Sequence, residues 1–326
     1  MLPGKFKQPA EFQWGAFINT KGAKIRYGRL VPAGAVKGSL VLVTGFRECI
    51  EKYFEVVQDL TAKGFVVWVM DWRGQGGSDR YLAEAPQKMH SEGYAEQIET
   101  LHQFATKIVD QSGGPLVLFA HSMGAHIGLR FLNEHEGVFD SAVLTAPMLD
   151  IATGGVPKPV ARQLARLARL RGTLEKYVPG GADWDTAREP FTGNVKTSDR
   201  ERFGVVPEIY AQKPELKMGD PTYGWLWHTF QSIDVLNRDD YLAAIKTPIF
   251  MQVSGKDAVV DNAALENAVS ILPCCTRLDV PEAKHEIWME REDLRSLFLR
   301  GVFAFLEAGN GAVPRQNKSF TPPAFG

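Results

Sequence analysis

The chain has 326 residues, 44% of them hydrophobic, and a formal net charge of −1 at pH 7. This balance of charges excludes the overall attraction by which strongly basic proteins bind nucleic acids, and the length allows one large domain or two ordinary ones. Two of the three cysteines are adjacent, at Cys274 and Cys275, so they form neither a disulfide framework nor a metal-ligand spacing. No apolar run is long enough for a signal peptide or a spanning helix, and we expect a cytoplasmic location.

The first part of the chain alternates predicted strands and helices. Residues 11–19 and 24–31 mix apolar and polar side chains around a Thr-Lys-Gly turn, which predicts a hairpin. Continuous apolar runs at 39–44 and 65–70 predict strands buried on both faces, and a helical pattern lies between them. This order predicts a mainly parallel sheet covered by helices.

A glycine-rich loop follows at 71–78. It lacks the spacing of a phosphate-binding loop, so we interpret it as a structural turn. Asp71 and Arg73 in this loop are expected to fix neighbouring loops rather than to take part in chemistry. A helix with one apolar face is predicted next, from residue 94 to 108.

The stretch from residue 115 to 132 carries the strongest functional signal. A buried strand leads to His-Ser-Met-Gly at 121–124, and a helical pattern of small and apolar residues follows directly. A strand that turns at a serine straight into a helix is a nucleophile elbow, which holds the hydroxyl of Ser122 at the N-terminus of the helix. The turn needs small residues two positions before and after the serine, and Ala120 and Gly124 occupy them. The alternative is that Ser122 only caps the helix.

The alternation stops after the next strand and resumes near residue 248. From 148 to 236 the chain is rich in glycine, proline, charge and aromatic residues, with helical patches and no convincing strand. We therefore predict a first core part at 1–147, a mainly helical cap at 148–236 and a second core part at 237–308. Residues 309–326 are polar and contain proline, which predicts a flexible tail.

A serine nucleophile needs a base and an acid that orients the base. Both are expected on loops at the carboxyl edge of the sheet, where Ser122 lies. Asp257 follows one predicted strand and His285 follows the last, which gives the chain order Ser, Asp, His. Asp261 and Asp150 remain alternatives for the acid. The other histidines are less suitably placed for the base: His90, His102, His121, His126, His135 and His228.

Attack on a carbonyl group develops negative charge on its oxygen, so two backbone N–H donors are expected to face that atom. One is the N–H of Met123, the residue after the nucleophile. The second is expected from the loop after the strand at 39–44, where Gly45 allows a close approach and Phe46 is the candidate. The alternative is a plain strand-to-helix turn.

The motifs resemble those of a known family. Ala-His-Ser-Met-Gly at 120–124, the glycine loop at 71–78, Ser-Gly-Lys-Asp at 254–257 and the cap segment at 213–226 look like the lysophospholipase L2 and monoacylglycerol lipase branch of the α/β-hydrolases. The likeness extends over most of residues 15–308. Pro-Thr-Tyr-Gly-Trp within the cap segment is more specific and points to the lysophospholipase-like side.

The resemblance implies an α/β-hydrolase fold and a triad of Ser122, Asp257 and His285. It also implies oxyanion donors at Phe46 and Met123, and neither a cofactor nor a metal is expected. The chain departs from the usual His-Gly-x-Gly loop of the family, because its loop has Thr-Gly-Phe-Arg at 44–47. Arginine in place of the second glycine restricts the turn that carries the second donor.

Aromatic residues of the cap suffice to line a cleft for an acyl chain. The candidates for substrate binding are Tyr223, Trp225, Trp227 and Phe230. The alternative is that these side chains form a small core within the cap.

The cap also contains a predicted basic amphipathic helix at 158–175. Val160, Leu164, Leu167 and Leu174 share one helical side, and four arginines lie largely off it: Arg162, Arg166, Arg169 and Arg171. Such a helix can rest on anionic lipid headgroups at the inner face of a membrane, whereas more often its apolar side packs on the protein itself. No obligate protein partner is evident.

The leading hypothesis is a serine hydrolase that cleaves carboxylic esters of single-chain lipids, lysophospholipid or monoacylglycerol, through an acyl-enzyme. A broad-specificity short-chain carboxylesterase is the nearest alternative. A hydrolase fold that only binds its ligand belongs to another functional class, and the complete candidate triad argues against it.

Overall fold

The computed structural model describes residues 2–111, 114–238 and 240–308, so the predicted tail at 309–326 lies outside the described residues. The described strands form an eight-stranded sheet in the order β1-β2-β4-β3-β5-β6-β7-β8. They are β1 (Gln13–Ile18), β2 (Lys24–Leu30), β3 (Gly38–Val43), β4 (Phe65–Met70), β5 (Leu116–His121), β6 (Ser141–Thr145), β7 (Ile249–Ser254) and β8 (Cys275–Val280). Pairs involving β1 or β2 are antiparallel and all others are parallel, which confirms the predicted mostly parallel α/β sheet.

Helices cover both faces of the sheet. They are α1 (Phe54–Ala62), α2 (Tyr94–Gln103), α3 (Met123–Glu134), α4 (Lys158–Leu170), α5 (Arg200–Phe203), α6 (Val205–Gln212), α7 (Tyr223–Leu236), α8 (Asn262–Ile271) and α9 (Glu292–Glu307). Among the described residues, no helix is both long and apolar enough to cross a bilayer.

The central strands are buried from end to end because each face packs against helices. In β3, Val41 and Val43 belong to one hydrophobic cluster, whereas Leu40 and Leu42 belong to the other. Successive side chains of a strand point to opposite faces, so these two clusters are the cores on the two sides of the sheet. This arrangement explains why β3 has the continuous apolar sequence that predicted it.

The loop after β4 is structural, as predicted. The buried carboxylate of Asp71 accepts hydrogen bonds from Arg26 Nε at 2.7 Å, Ile50 N at 3.0 Å and Gly77 N at 2.9 Å. It therefore joins β2, the loop after β3 and its own glycine-rich turn. Arg73 pairs with Glu96 of α2 at 3.1 Å.

The segment from 148 to 236, here called the inserted segment, lies between β6 and β7 and contains α4 to α7. Its buried residues do not form a separate core. Phe230 and Ile233 of α7 join one cluster of the sheet, and Ile209 and Met218 join the other. The inserted segment is therefore packed on the core of the sheet through both clusters, and its division into a separate cap domain stays a prediction.

Helix α4 differs from the prediction in length and in its packing face. It ends at Leu170, because Gly172 has a φ of 65° and Thr173 N donates to the carbonyl oxygen of Ala168 at 2.9 Å. Leu174 therefore lies beyond the helix. The side that packs against α7 is a stripe of small residues: Ala161, Ala165 and Ala168.

Candidate active site

Ser122 lies in a sharp turn between β5 and α3. Its φ of 50° and ψ of −115° are an unusual backbone conformation for a residue other than glycine. The turn is held by backbone hydrogen bonds from Ser122 N to Thr145 O at 3.0 Å and from Met148 N to Ser122 O at 3.1 Å. The strand-turn-helix arrangement predicted from the sequence is therefore present, and the serine hydroxyl lies at the N-terminus of α3.

The close approach around the turn depends on Gly124. A Cβ atom at this residue would lie 2.6 Å from Thr44 O and 2.8 Å from Val43 O, and both are backbone atoms that cannot move aside cheaply. Further along α3, a Cβ at Gly128 would lie 2.9 Å from Leu118 Cδ2 and 3.6 Å from Ala120 Cβ. A second glycine on the helix thus leaves room for the side chain of Leu118, whereas the methyl group of Ala120 would lie at an ordinary contact distance.

The structure brings Ser122, His285 and Asp257 into one hydrogen-bonded row. Ser122 Oγ lies 3.0 Å from His285 Nε2, and His285 Nδ1 lies 2.7 Å from Asp257 Oδ2. The other carboxylate oxygen of Asp257 accepts from Val259 N at 2.8 Å and Val260 N at 3.1 Å, which fixes the orientation of the carboxylate. With Nδ1 donating to the aspartate, Nε2 is free to accept the proton of the serine hydroxyl.

The alternative acids have other partners. Asp261 caps α8 by accepting from Ala263 N at 2.9 Å, and Asp150 pairs with Lys158 at 2.5 Å. Of the other histidines, His126 is buried between Met148 O and Ser232 Oγ, and burial lowers its pKa to about 3. These contacts are structural.

His121 is held away from Ser122, since its Nδ1 faces the carbonyl oxygen of Thr145 at 3.2 Å. Its ring packs against His285 at 4.7 Å between centroids and against Trp288 at 4.1 Å. Burial, with a smaller contribution from His285, lowers the pKa of His121 well below its usual value. The ring of His121 is therefore uncharged where it packs against the ring of His285.

The N–H groups of Phe46 and Met123 have no protein acceptor among the described residues. The residues on either side of Phe46 are held by hydrogen bonds to buried side chains. Gly45 N donates to Glu48 Oε2 at 2.5 Å, and the side chain of Gln75 accepts from Arg47 N at 2.9 Å and donates to Gly45 O at 2.8 Å. Glu48 and Gln75 are not among the residues predicted from the sequence, and an amide within a glycine-rich loop was the available signal for Gln75.

Backbone strain is concentrated around this site. Within the described part of the chain, the residues other than glycine with positive φ are Ser122, Arg47 and Ala146, at 50°, 60° and 42°. Each such conformation costs of order 1–3 kcal/mol and persists only where the surroundings hold it. Arg47 thus adopts a conformation that glycine would adopt with less strain. That the arginine restricts the turn stays a prediction.

A buried charge cluster lies behind residues 44–47, here called the Phe46 turn. Lys52 Nζ contacts Glu48 at 2.5 Å and Glu286 at 2.8 Å, and the hydroxyl of Tyr53 donates to Glu48. Burial lowers the pKa of Lys52, but the charges of Glu286 and Glu48 outweigh it and raise that pKa above its usual value. Since Glu286 follows His285, the charged lysine connects the Phe46 turn to the loop at residues 282–286, here called the histidine loop.

An apolar cavity of about 350 Å³ opens at Ser122. Phe46, Tyr223 and Trp225 contribute to its wall, and so does Leu164 of α4. The full lining is Phe46, Ser122, Met148, Ile151, Ala152, Thr153, Gly154, Val156, Ala161, Leu164, Val178, Pro179, Pro221, Tyr223, Trp225, Leu226, Val259 and Val260. No group of three His, Cys, Asp or Glu side chains in the described ranges is arranged to hold a metal ion.

Two of the four aromatic candidates do not line this cavity. Trp227 lies under the guanidinium of Arg169 at 5.0 Å, and Phe230 is buried in the core with the guanidinium of Arg162 at 4.4 Å. Neither residue lines the cavity in this structure, and the prediction that they bind substrate stays a prediction. Both side chains contact arginines of α4 and so join α7 to α4. Because α7 is apolar on more than one side, the sequence could not indicate which side faces the cavity.

Comparisons with known proteins place the chain among serine hydrolases. The family model described as Hydrolase_4, serine aminopeptidase, S33, matches residues 34–292. Lysophospholipase L2 of Escherichia coli is 31% identical over 294 residues, which cover 86% of this chain and 83% of that protein. A probable lysophospholipase L2 of Haemophilus influenzae is 28% identical, covering 88% and 89%. A soluble variant of the monoglyceride lipase of Saccharomyces cerevisiae, solved with a substrate analog, shares the fold with a TM-score of 0.74 at 18% identity, covering 94% and 98%.

Proposed function

The chain belongs to the Hydrolase_4 (serine aminopeptidase, S33) family of α/β-hydrolases, as the sequence motifs predicted, and on that premise we propose that it hydrolyses carboxylic esters that carry one fatty acyl chain. Lysophospholipids and monoacylglycerols are the proposed substrate classes. The similarity to lysophospholipase L2 of Escherichia coli supports this choice, since the similar region includes most of both chains.

In the proposed mechanism, the Ser122 Oγ attacks the ester carbonyl carbon while its proton passes to His285 Nε2 across the 3.0 Å contact. The C–O bond to the alcohol then breaks, and His285 gives the proton to the departing oxygen. A water molecule, deprotonated by the same histidine, attacks the acyl-enzyme and releases the fatty acid with Ser122 restored. Asp257 fixes the orientation of the His285 ring and stabilises the imidazolium ion that forms transiently in each step.

The carbonyl oxygen becomes negatively charged in both addition steps. We assign its stabilisation to the N–H groups of Phe46 and Met123, which have no competing protein acceptor among the described residues. A donor of this kind is worth about 2.7–4 kcal/mol in the transition state. The N-terminus of α3 adds a favourable field at the same place.

The observation that carries the substrate proposal is the apolar cavity that opens at Ser122. Its wall is formed almost entirely by aliphatic and aromatic side chains, with a volume of about 350 Å³. An acyl chain gains ~0.8 kcal/mol for each CH₂ group removed from water, so such a cavity favours a long chain over a short one. None of the described residues that line the cavity is charged, which favours a position outside the cavity for the headgroup.

We also propose that α4 brings the cavity to a lipid surface. Val160, Leu167 and Leu170 are exposed to 47%, 40% and 76%, an unusual set of apolar side chains for one surface helix. Leu164 of the same helix lines the cavity, so the exposed apolar side adjoins the proposed acyl site. A single-chain lipid could then pass from the surface into the cavity without crossing water.

The first test is fatty-acid release from lysophospholipids, monoacylglycerols and short-chain esters by the native chain and by Ser122→Ala. Release from long single-chain lipids that the alanine variant abolishes is the expected result. Release from short esters alone would replace the proposal with the short-chain esterase. If neither the native chain nor Ser122→Ala releases fatty acid from any of these esters but both bind the ligand, a hydrolase fold that only binds its ligand would be favoured.

The surface proposal is tested by sedimentation with phosphatidylglycerol and phosphatidylcholine vesicles. Leu170→Glu should weaken vesicle binding and slow hydrolysis of vesicle-borne lysophospholipid, while hydrolysis of a water-soluble short ester stays native. Ile18→Glu is a matched control, because Ile18 is also a strongly exposed apolar residue, at 58%, but lies at the end of β1, outside α4. Equal vesicle binding by native protein and L170E would contradict the role of α4.

A further inference from the structure

A chain of alternating charges joins the Phe46 turn to the inserted segment. The guanidinium of Arg47 donates to the carboxylate of Glu189, to Asp220 at 3.3 Å and to the carbonyl oxygen of Met218 at 3.2 Å. Glu189 also accepts from Lys196 Nζ at 2.9 Å, and Asp220 pairs with Arg188 at 2.9 Å. The ion-pair chain consists of Lys196, Glu189, Arg47, Asp220 and Arg188.

The end of the ion-pair chain at Lys196 contacts the histidine loop. The carbonyl oxygen of Lys196 accepts from Glu286 N at 2.9 Å, and that of Val195 accepts from His285 N at 3.4 Å. Lys284 Nζ donates to the carbonyl oxygen of Asn194 at 2.8 Å. Residues 194–196 therefore hold the backbone of His285, and Glu189 links this loop to the turn that carries Phe46.

The backbone conformation of the Phe46 turn depends on contacts with residues outside the turn. Arg47 has a φ of 60°, which residues with a Cβ atom avoid unless the surroundings fix them. Its N–H is held by Gln75, and its guanidinium is held by the ion-pair chain. Burial raises the pKa of Glu189, but Lys196 and Arg47 outweigh it and lower that pKa to about 2, so Glu189 is ionised at neutral pH.

We propose that Glu189 is a positioning residue, which holds the N–H of Phe46 toward the oxyanion through Arg47 and orders the loop of His285 through Lys196. This inference rests on the proposed function, because it assigns Phe46 as an oxyanion donor. Such a donor works only within about 2.7–3.1 Å of the oxygen, so a small relaxation of the turn reduces catalysis. Without Glu189, the half-buried guanidinium loses the nearer of its two carboxylate partners and keeps only Asp220 at 3.3 Å, so the turn is held less firmly.

The test compares Glu189→Ala and Glu189→Gln with the native enzyme on soluble p-nitrophenyl butyrate and on its thiono analogue, in which sulfur replaces the carbonyl oxygen. Sulfur is the weaker acceptor, so the oxo-to-thiono rate ratio reports the N–H donors. We expect kcat on the oxo ester to fall about ten- to a hundredfold with KM unchanged, and the ratio to fall with it. The near-isosteric glutamine isolates the effect of the charge.

Two further variants separate the two contacts of Glu189. Arg47→Ala should lower the oxo-to-thiono ratio as E189A does, and the double variant should add nothing, because both remove one link. Lys196→Ala removes the side-chain link between Glu189 and the segment that holds His285, but it keeps the contact between Glu189 and Arg47. It should therefore lower kcat for both esters alike. The matched control is Asp234→Asn, which disrupts a bidentate ion pair with Arg162 inside the inserted segment. Its kcat and its oxo-to-thiono ratio should equal those of the native enzyme.

A changed melting temperature or KM in E189A with a native oxo-to-thiono ratio would show that Glu189 only stabilises the fold, and the inference would be wrong while the proposed function stood. A native protein that hydrolyses neither ester and whose Ser122 does not react with a fluorophosphonate would instead overturn the proposed function, and the inference with it.

Discussion

Replacing Asp257 by asparagine is the sharpest test of the proposed triad. The amide can take two orientations. If its oxygen keeps the bonds from Val259 N and Val260 N, its NH₂ group faces His285 Nδ1. The ring then must accept at Nδ1 and carry its proton on Nε2, where it can no longer take the proton of Ser122.

The flipped orientation is the less stable one. It would point the NH₂ group at two backbone N–H donors, leave both without an acceptor and cost about 1–3 kcal/mol for each buried donor. The wrong tautomer should therefore prevail, and we expect kcat to fall about 10⁴-fold, or ~5.5 kcal/mol. The substitution keeps the side-chain volume, so the melting temperature should change little.

The assay is hydrolysis of a soluble p-nitrophenyl ester at pH 7.5, with circular dichroism as the check of folding. Asp150→Asn and Asp261→Asn are the controls, since these carboxylates contact Lys158 and the start of α8 rather than His285. Native kcat in D257N, or a large loss in either control, would refute the assignment of the acid.

Three other predictions concern the turn, the buried histidine and the cavity. Gly124→Ala should lower the free energy of unfolding in urea by ~1–3 kcal/mol, because its Cβ would lie 2.6 Å from the Thr44 carbonyl oxygen, whereas Gly34→Ala, with no atom within 4 Å, should not. Burial lowers the pKa of His126 to about 3 in the folded protein, so between pH 6.5 and pH 3 only the unfolded chain takes up a proton at this residue. The free energy of unfolding should therefore fall by ~2 kcal/mol from pH 8 to pH 5. Urea titrations at both pH values measure this loss, which His126→Asn should abolish. Leu164→Trp should fill the cavity and lower kcat/KM more for long acyl chains than for short ones.

The sequence determined the sheet, the elbow and the three residues proposed for the triad. The hairpin of β1 and β2 was predicted from local alternation, and β4 was predicted to the residue. These features follow from periodicity and from the order of strands, because parallel strands bring the loops at their carboxyl ends to one edge. Ser122, Asp257 and His285 each follow such a strand, so their meeting could be inferred without coordinates.

The cap was less predictable. The stop of α4 was signalled by Arg-Gly at 171–172, and the predicted helix continued past it. Its packing face was not signalled, because the alanines that contact α7 are shorter than the leucines beside them. Trp227 and Phe230 illustrate the same difficulty, since an aromatic side chain can serve a cavity or a helix contact equally well.

Only the tertiary structure decided how the Phe46 turn is held. Arg47 and Glu189 are 142 residues apart in the chain, and neither residue type indicates the other as its partner. The sequence showed that an arginine stood where the family has a glycine, and it predicted that this arginine restricts the turn. A side-chain contact between distant segments leaves no periodic pattern, so the partner that compensates for the arginine could be identified only once the inserted segment was seen packed against the core.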